Sequence, residues 1–180
     1  YNLGNERLVS YHRKYIRKSL EAVENGSNVL HHIGVEYTGP ADFTKFWLQT
    51  IMDWEAETGR DVKVVLSATK DVTDEILSDA RYRDAVDVID IRQWHYRTDG
   101  GIYAPPGGVS LAPRQYLRVM DGGTTDSDCV WKAVREYREK YPDKAVLYNA
   151  SRDKGAAWVA FLAGASLCQI PQEIAAKDFF

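Results

Sequence analysis

Helix-period and strand-like segments alternate along this chain almost without interruption, and that alternation limits what it can fold into. Leu8, Tyr11, Tyr15, Ile16, Leu20 and Val23 recur at helical spacing, and Asn25-Gly26 ends the run. Residues 29–35 (VLHHIGV) read as a strand. Pro40 then opens a helix with Phe43, Phe46, Trp47, Ile51 and Trp54 on one stripe, and Gly59 is a natural end for it. Residues 62–68 (VKVVLSA) make a β-branched strand, 73–82 a short helix and 86–91 (VDVIDI) a third strand. Asp126 caps a helix with Val130, Val134, Tyr137 and Tyr141 on one face, stopped by Pro142-Asp143. Residues 145–148 (AVLY), a small-residue helix over 155–165 and residues 167–170 (LCQI) complete the series.

Strands that alternate with helices pair in parallel and are buried on both faces. The whole chain, residues 1–180, reads as a single domain. Two α/β architectures fit: an open doubly wound sheet, or part of a (β/α)8 TIM barrel with parallel strands and outer helices. A complete barrel takes about 250 residues, and this chain carries about four and a half βα units. It also starts with a helix, so the barrel reading expects earlier strands upstream of Tyr1. Residues 97–125 break the pattern. They are rich in Gly and Pro, show no clean period and exceed an ordinary connector, so they read as a functional loop.

Composition removes several classes. The net charge is −3 with no basic block, which argues against nucleic acid. No apolar run reaches the ~18 residues of a membrane span, and no signal peptide is visible. Cys129 and Cys168 lack metal or redox spacing and read as buried thiols, with a disulfide as the second reading. There is no GxSxG elbow, no GxGxxG after a strand and no phosphate-binding GxxxxGK[ST]. No cofactor is implied.

In parallel α/β folds the chemistry collects at the carboxyl ends of the strands. Those ends carry His32, Glu36 and Tyr37; then Ser67, Thr69, Lys70 and Asp71; then Asp90, Arg92, Trp94, His95 and Tyr96; and finally Tyr148, Asn149, Arg152 and Asp153. The opposite ends offer solvent turns such as Gly59-Arg60-Asp61 and Pro142-Asp143-Lys144. Alternation places Leu30, His32, Gly34 and Glu36 on one side of their strand. A carboxyl at an apolar rim has its charged form disfavoured, which suits a general acid. The other reading of Glu36 is a pair with Arg92 or a cap on the Pro40 helix. His31 and His32 point opposite ways, which argues against a shared metal site. Asp90 is either a buried structural acid or a site residue. Trp94, His95 and Tyr96 are either core plugs or a stacking platform for sugar rings. The charges of residues 136–140 (EYREK) read as a solvated helix face.

The stretch NVLHHIGVEYTGPADFTKFWLQTIMDWEAETGRDV resembles the fourth-strand segment of glycoside hydrolases built on retaining-type (β/α)8 barrels, and GAAWVAFLAGAS resembles the helix after the seventh strand in apiosidase-like members. The resemblance implies that this chain holds about strands four to eight, the C-terminal part of such a barrel. It implies Glu36 as the general acid/base and a carbohydrate substrate lined by His32, Tyr37, Asp90, Arg92, Trp94, His95, Tyr96, Tyr148, Asn149 and Asp153. It also implies secretion or a periplasmic location. The sequence departs from that family at two places. Val35 stands where Asn usually precedes the acid, and the strand ending Tyr148-Asn149-Ala150 lacks the nucleophilic Glu. Glycosidases use two carboxylates, about 5–5.5 Å apart for retention and about 6.5–9.5 Å apart for inversion. The second is left open between Asp90, Asp153 and the missing strands. If it is absent, the protein is a degenerate barrel that binds glycans or partners without cutting.

Overall fold

The computed structural model describes residues 2–35, 37–92, 94–106, 112–149 and 155–168. Twelve elements follow one another: α1 (Glu6–Val23), β1 (His31–Ile33), α2 (Ala41–Thr58), β2 (Val64–Leu66), α3 (Lys70–Ser78), α4 (Ala80–Arg83), β3 (Val88–Ile91), α5 (Ala112–Met120), α6 (Ser127–Lys140), β4 (Ala145–Tyr148), α7 (Ala156–Leu162) and β5 (Leu167–Cys168). The chain is therefore an α/β protein.

Local chemistry sets the helix ends. The Asn5 side chain accepts a hydrogen bond from the Leu8 amide at 3.1 Å, and Asp126 accepts one from the Cys129 amide at 2.9 Å. Gly59 closes α2 in the left-handed region at φ 69°. Asp79 leaves the helical region between α3 and α4, and its side chain caps the second piece. The single helix expected over 73–82 is thus two.

The five strands form one sheet in the order β1-β2-β3-β4-β5, each parallel to its neighbour. A doubly wound sheet needs a reversal of strand order, and this order contains none. The core agrees. Ile33, Val64, Leu66, Ile89, Ile91, Val146 and Tyr148 join residues of α1, α2, α3, α6 and α7 in a single apolar cluster. The alternate residues His32, Val65, Val88, Asp90 and Leu147 lie outside that cluster, on the other face of the sheet. The described helices that build the core therefore cover one face only.

Two expectations change. Residues 97–125 are not a plain loop: they contain α5. The face of α6 that reads as solvated is partly buried, because Glu136 turns inward against Lys70. The turn after α6 is likewise tied in, with buried Lys144 donating to the Val86 carbonyl at 2.6 Å.

Candidate functional site

A polar cluster sits at the carboxyl ends of β2 and β3, on the face away from the helical core. Asp90 is 2% exposed. Its Oδ2 accepts from Ser67 Oγ at 2.7 Å and from Arg92 Nε at 2.9 Å, and Arg92 Nε also reaches Ser67 Oγ at 2.9 Å. His32 Nδ1 lies 4.0 Å from the same carboxylate oxygen. The strand register explains the grouping. His32 pairs with Val65 and Val65 with Val88, so the side chains two residues further on, Ser67 and Asp90, fall on one face. Asn149 continues β4 by donating its amide to the Ile91 carbonyl at 3.0 Å, which sets it beside Arg92. The structure thus brings together four of the residues expected from sequence: His32, Asp90, Arg92 and Asn149. A buried ion pair is tolerated only when its spare valences are filled. Here Ser67 fills one of them, while Asp90 Oδ1 finds no hydrogen-bond partner among the described residues.

The approach of β1 to β2 is close. Gly34 has φ 82°, and a Cβ there would meet the Ser67 carbonyl oxygen at 2.7 Å. Only glycine meets both conditions without strain.

Other expected residues take different places. Trp94, His95 and Tyr96 are 6%, 3% and 3% exposed, so they fill the core rather than offer an open ring face. Tyr148 points to the helical side and belongs to the core cluster. Tyr37 folds over its own turn, its ring 4.3 Å from that of Phe43. Glu36 and Asp153 lie outside the described residues.

Burial of the 94–96 segment has a physical cause that no sequence pattern displays. Lys70, itself buried, opens α3 directly after the second strand. Its Nζ lies 3.0 Å from both Asp74 Oδ2 and Glu136 Oε2, over the rings of Tyr96 and Tyr137. Tyr96 donates its hydroxyl to Glu136 at 2.5 Å. Burial alone would push the Glu136 carboxyl up. Hydrogen bonds from Lys140, Tyr96 and Lys70 outweigh it and bring the carboxyl down to about 2. His95 packs edge-on to Tyr137 and pairs its Nδ1 with the Arg92 carbonyl at 3.1 Å. Burial first, then the Lys70 charge, lowers this imidazole to about 3, so it stays neutral.

A second knot covers the strand ends. Arg114, from α5, donates to the Thr38 carbonyl at 2.5 Å, the Pro105 carbonyl at 2.7 Å, Thr69 Oγ1 at 3.0 Å and Asp71 Oδ2 at 2.9 Å. One guanidinium so joins the loops after β1, β2 and β3. Its only sequence signal is one of three Arg residues in a Gly/Pro-rich stretch.

A cavity of about 270 Å³ lies at the other end of the sheet, with Leu20, His31, Trp54 and Lys63 in its wall. Burial lowers the half-buried His31. His31 therefore faces a different space from His32, as their alternation requires. Among the described residues no group of three or more His, Cys, Asp or Glu side chains is placed to hold a metal, and no helix is long and apolar enough to cross a membrane.

Fold and cluster together define a sequentially wound parallel α/β protein with a charged site at its carboxyl-end face. The chain matches, over residues 1–180, the family described as Domain of unknown function (DUF6298), and it belongs to that family. No curated protein matches it.

Proposed function

We propose that this chain is the later part, about strands four to eight, of a (β/α)8 barrel that binds a carbohydrate at its carboxyl-end mouth and hydrolyses it, with Glu36 as general acid/base. The observation that carries the reading is the strand order. Five parallel strands in sequence, with the core helices on one face, repeat the winding of a barrel. The other face, which becomes a barrel's interior, carries Ser67, Asp90 and Arg92 at the end where barrel enzymes hold their sites. Further strands close the barrel and leave no sheet edge bare.

In this reading Glu36 protonates the leaving glycosidic oxygen and afterwards takes a proton from water. Asp90 is bonded through Oδ2 and almost wholly enclosed, so it holds Arg92 in place rather than attacking the sugar. The second carboxylate then falls to Asp153 or to a strand beyond these five. A polysaccharide substrate places the protein outside the cytoplasm. The runner-up is a barrel that binds glycans without cutting them. It is favoured by the locking of Asp90, the carboxylate that the described residues place on this face.

The test is sugar release from a polysaccharide panel by the full gene product beside its Glu36→Gln variant. A loss of about 10²–10⁴ in the variant, the usual size of a general acid–base contribution, supports the glycosidase. Binding with no release from either protein moves the reading to the non-cutting barrel. Equal release from both removes Glu36 from the chemistry.

A further inference from the structure

Arg92 spends only part of its hydrogen-bonding capacity. Its Nε serves both Asp90 and Ser67. Among the described residues Nη1 and Nη2 take no partner, although 16% of the side chain stays exposed. A guanidinium fixed through Nε presents its Nη pair as a rigid two-toothed fork that matches a carboxylate or a phosphate, and of the two the carboxylate is the acid that a glycan's own sugar residues carry. His32 is exposed, and its Nδ1 lies 4.0 Å from the same Asp90 Oδ2. Asp90 does not cancel the fork. An acid on the Nη edge lies nearer to the guanidinium than to the carboxylate behind it, so attraction exceeds repulsion. The chain as a whole is acidic at −3. Long-range steering of an anion is therefore weak, and recognition rests on this local fork.

We propose that the face holding Asp90 and Arg92 recognises an acidic sugar, a uronic acid residue whose carboxylate is gripped by Nη1 and Nη2 of Arg92. Asp90 and Ser67 act as positioning residues: they set the plane of the guanidinium. This inference rests on the carbohydrate reading above and narrows it to uronate-bearing glycans.

The experiment is calorimetric titration of the full gene product with trisaccharides of galacturonate, glucuronate and mannuronate, each beside its carboxyl-reduced neutral counterpart. At least one acid is expected to bind about tenfold or more tightly than its neutral twin, the size of a charge-assisted hydrogen bond, and to lose that advantage as salt rises. Arg92→Lys keeps a cation beside Asp90 and removes the fork. It is expected to lose most of the preference while its thermal midpoint stays within a few degrees of the parent. If no acid is preferred over its neutral twin in the unaltered protein, the proposal is overturned, whatever the variant does. Retention of the preference by a folded Arg92→Lys also overturns it. Neutral glycans bound or cut without acid preference leave the carbohydrate reading standing and sink this one. An acid bound but never cut leaves this inference standing and sinks the hydrolase.

Discussion

Lys70 Nζ lies 3.0 Å from Glu136 Oε2, an ion pair that joins the start of α3 to the middle of α6. Lys70 is 1% exposed, and its other neighbours are Asp74 and the rings of Tyr96 and Tyr137. Removing one member of a fully buried pair costs about 3–5 kcal/mol; here Glu136 keeps Lys140 at 2.8 Å and is 21% exposed, so the cost is about 1–3 kcal/mol. Lys70→Met is therefore expected to lower unfolding free energy by about that amount at neutral pH, measured by urea denaturation. Glu136 adds an acid limb. Its folded value near 2 lies below its ordinary 4.5, so its contribution is full above pH 4.5 and is lost as pH falls toward 2. Glu136→Gln should be less stable at neutral pH and flatter over that acid window.

His95 titrates in a different window. Its folded value of about 3 lies below the usual 6.5, because burial and then Lys70 disfavour the imidazolium. Below pH 6.5 the unfolded chain takes up a proton that the folded one refuses. Stability from this residue is full above pH 6.5 and falls by about 1.4 kcal/mol per pH unit as pH drops toward 3. His12 and His31 are shifted the same way by burial, so the comparison must be made within one position. His95→Gln is expected to reduce the slope of stability against pH between 6.5 and 4.5, followed by denaturant midpoints at half-unit steps. An unchanged slope means that His95 takes up its proton in the folded state.

Much of the architecture was legible because burial writes periodicity into a sequence. The strand at Ala145–Tyr148 is observed with the bounds its apolar run predicts, and the caps at Gly59 and Asp126 fall where their chemistry places them. β1, β2 and β3 are shorter than their apolar runs, since a parallel ladder lasts only as long as both partners pair. Helix α5 was invisible for the converse reason. Its apolar residues Tyr116, Val119 and Met120 are exposed, so no core-facing stripe marks it inside Gly/Pro-rich flanks. Of the site, Asp90, Arg92, His32 and Asn149 could be found from strand ends and alternation alone. The fate of Trp94, His95 and Tyr96 could not. Whether they line a mouth or plug a core depends on Lys70 and Glu136, which reach them from two other helices.

Arg114 makes a separate prediction about the cover over the strand ends. It reaches the loops after β1, β2 and β3 through Thr38, Asp71 and Pro105. Arg114→Lys keeps the charge beside Asp71 but cannot serve the carbonyls of Thr38 and Pro105 as well. Each buried carbonyl left without its donor costs about 1–3 kcal/mol. The variant is expected to unfold earlier by a few kcal/mol and to be cut faster by protease within residues 97–125. Faster cutting there with an unchanged global midpoint would show that the knot holds only the cover.

Gly34 links backbone geometry to the site. At φ 82° it lies in the left-handed region, and an added Cβ would press on the Ser67 carbonyl oxygen at 2.7 Å. Backbone cannot step aside as a flexible side chain can, so β1 and β2 must shift apart. Gly34→Ala is expected to cost more than about 1 kcal/mol, the strain of a left-handed alanine plus the clash. The displacement is passed on, because Ser67 Oγ is the 2.7 Å donor to Asp90 and also accepts from Arg92. On the carbohydrate reading proposed above, the variant should therefore lose affinity for the glycan beyond what its unfolded fraction explains, measured by titration well below its melting temperature. Ser67→Ala removes the hydroxyl and leaves the backbone where it is, so it separates the two effects. It should weaken binding with a smaller loss of stability than Gly34→Ala. If Gly34→Ala binds as the parent does, the approach of β1 to β2 matters to the fold alone.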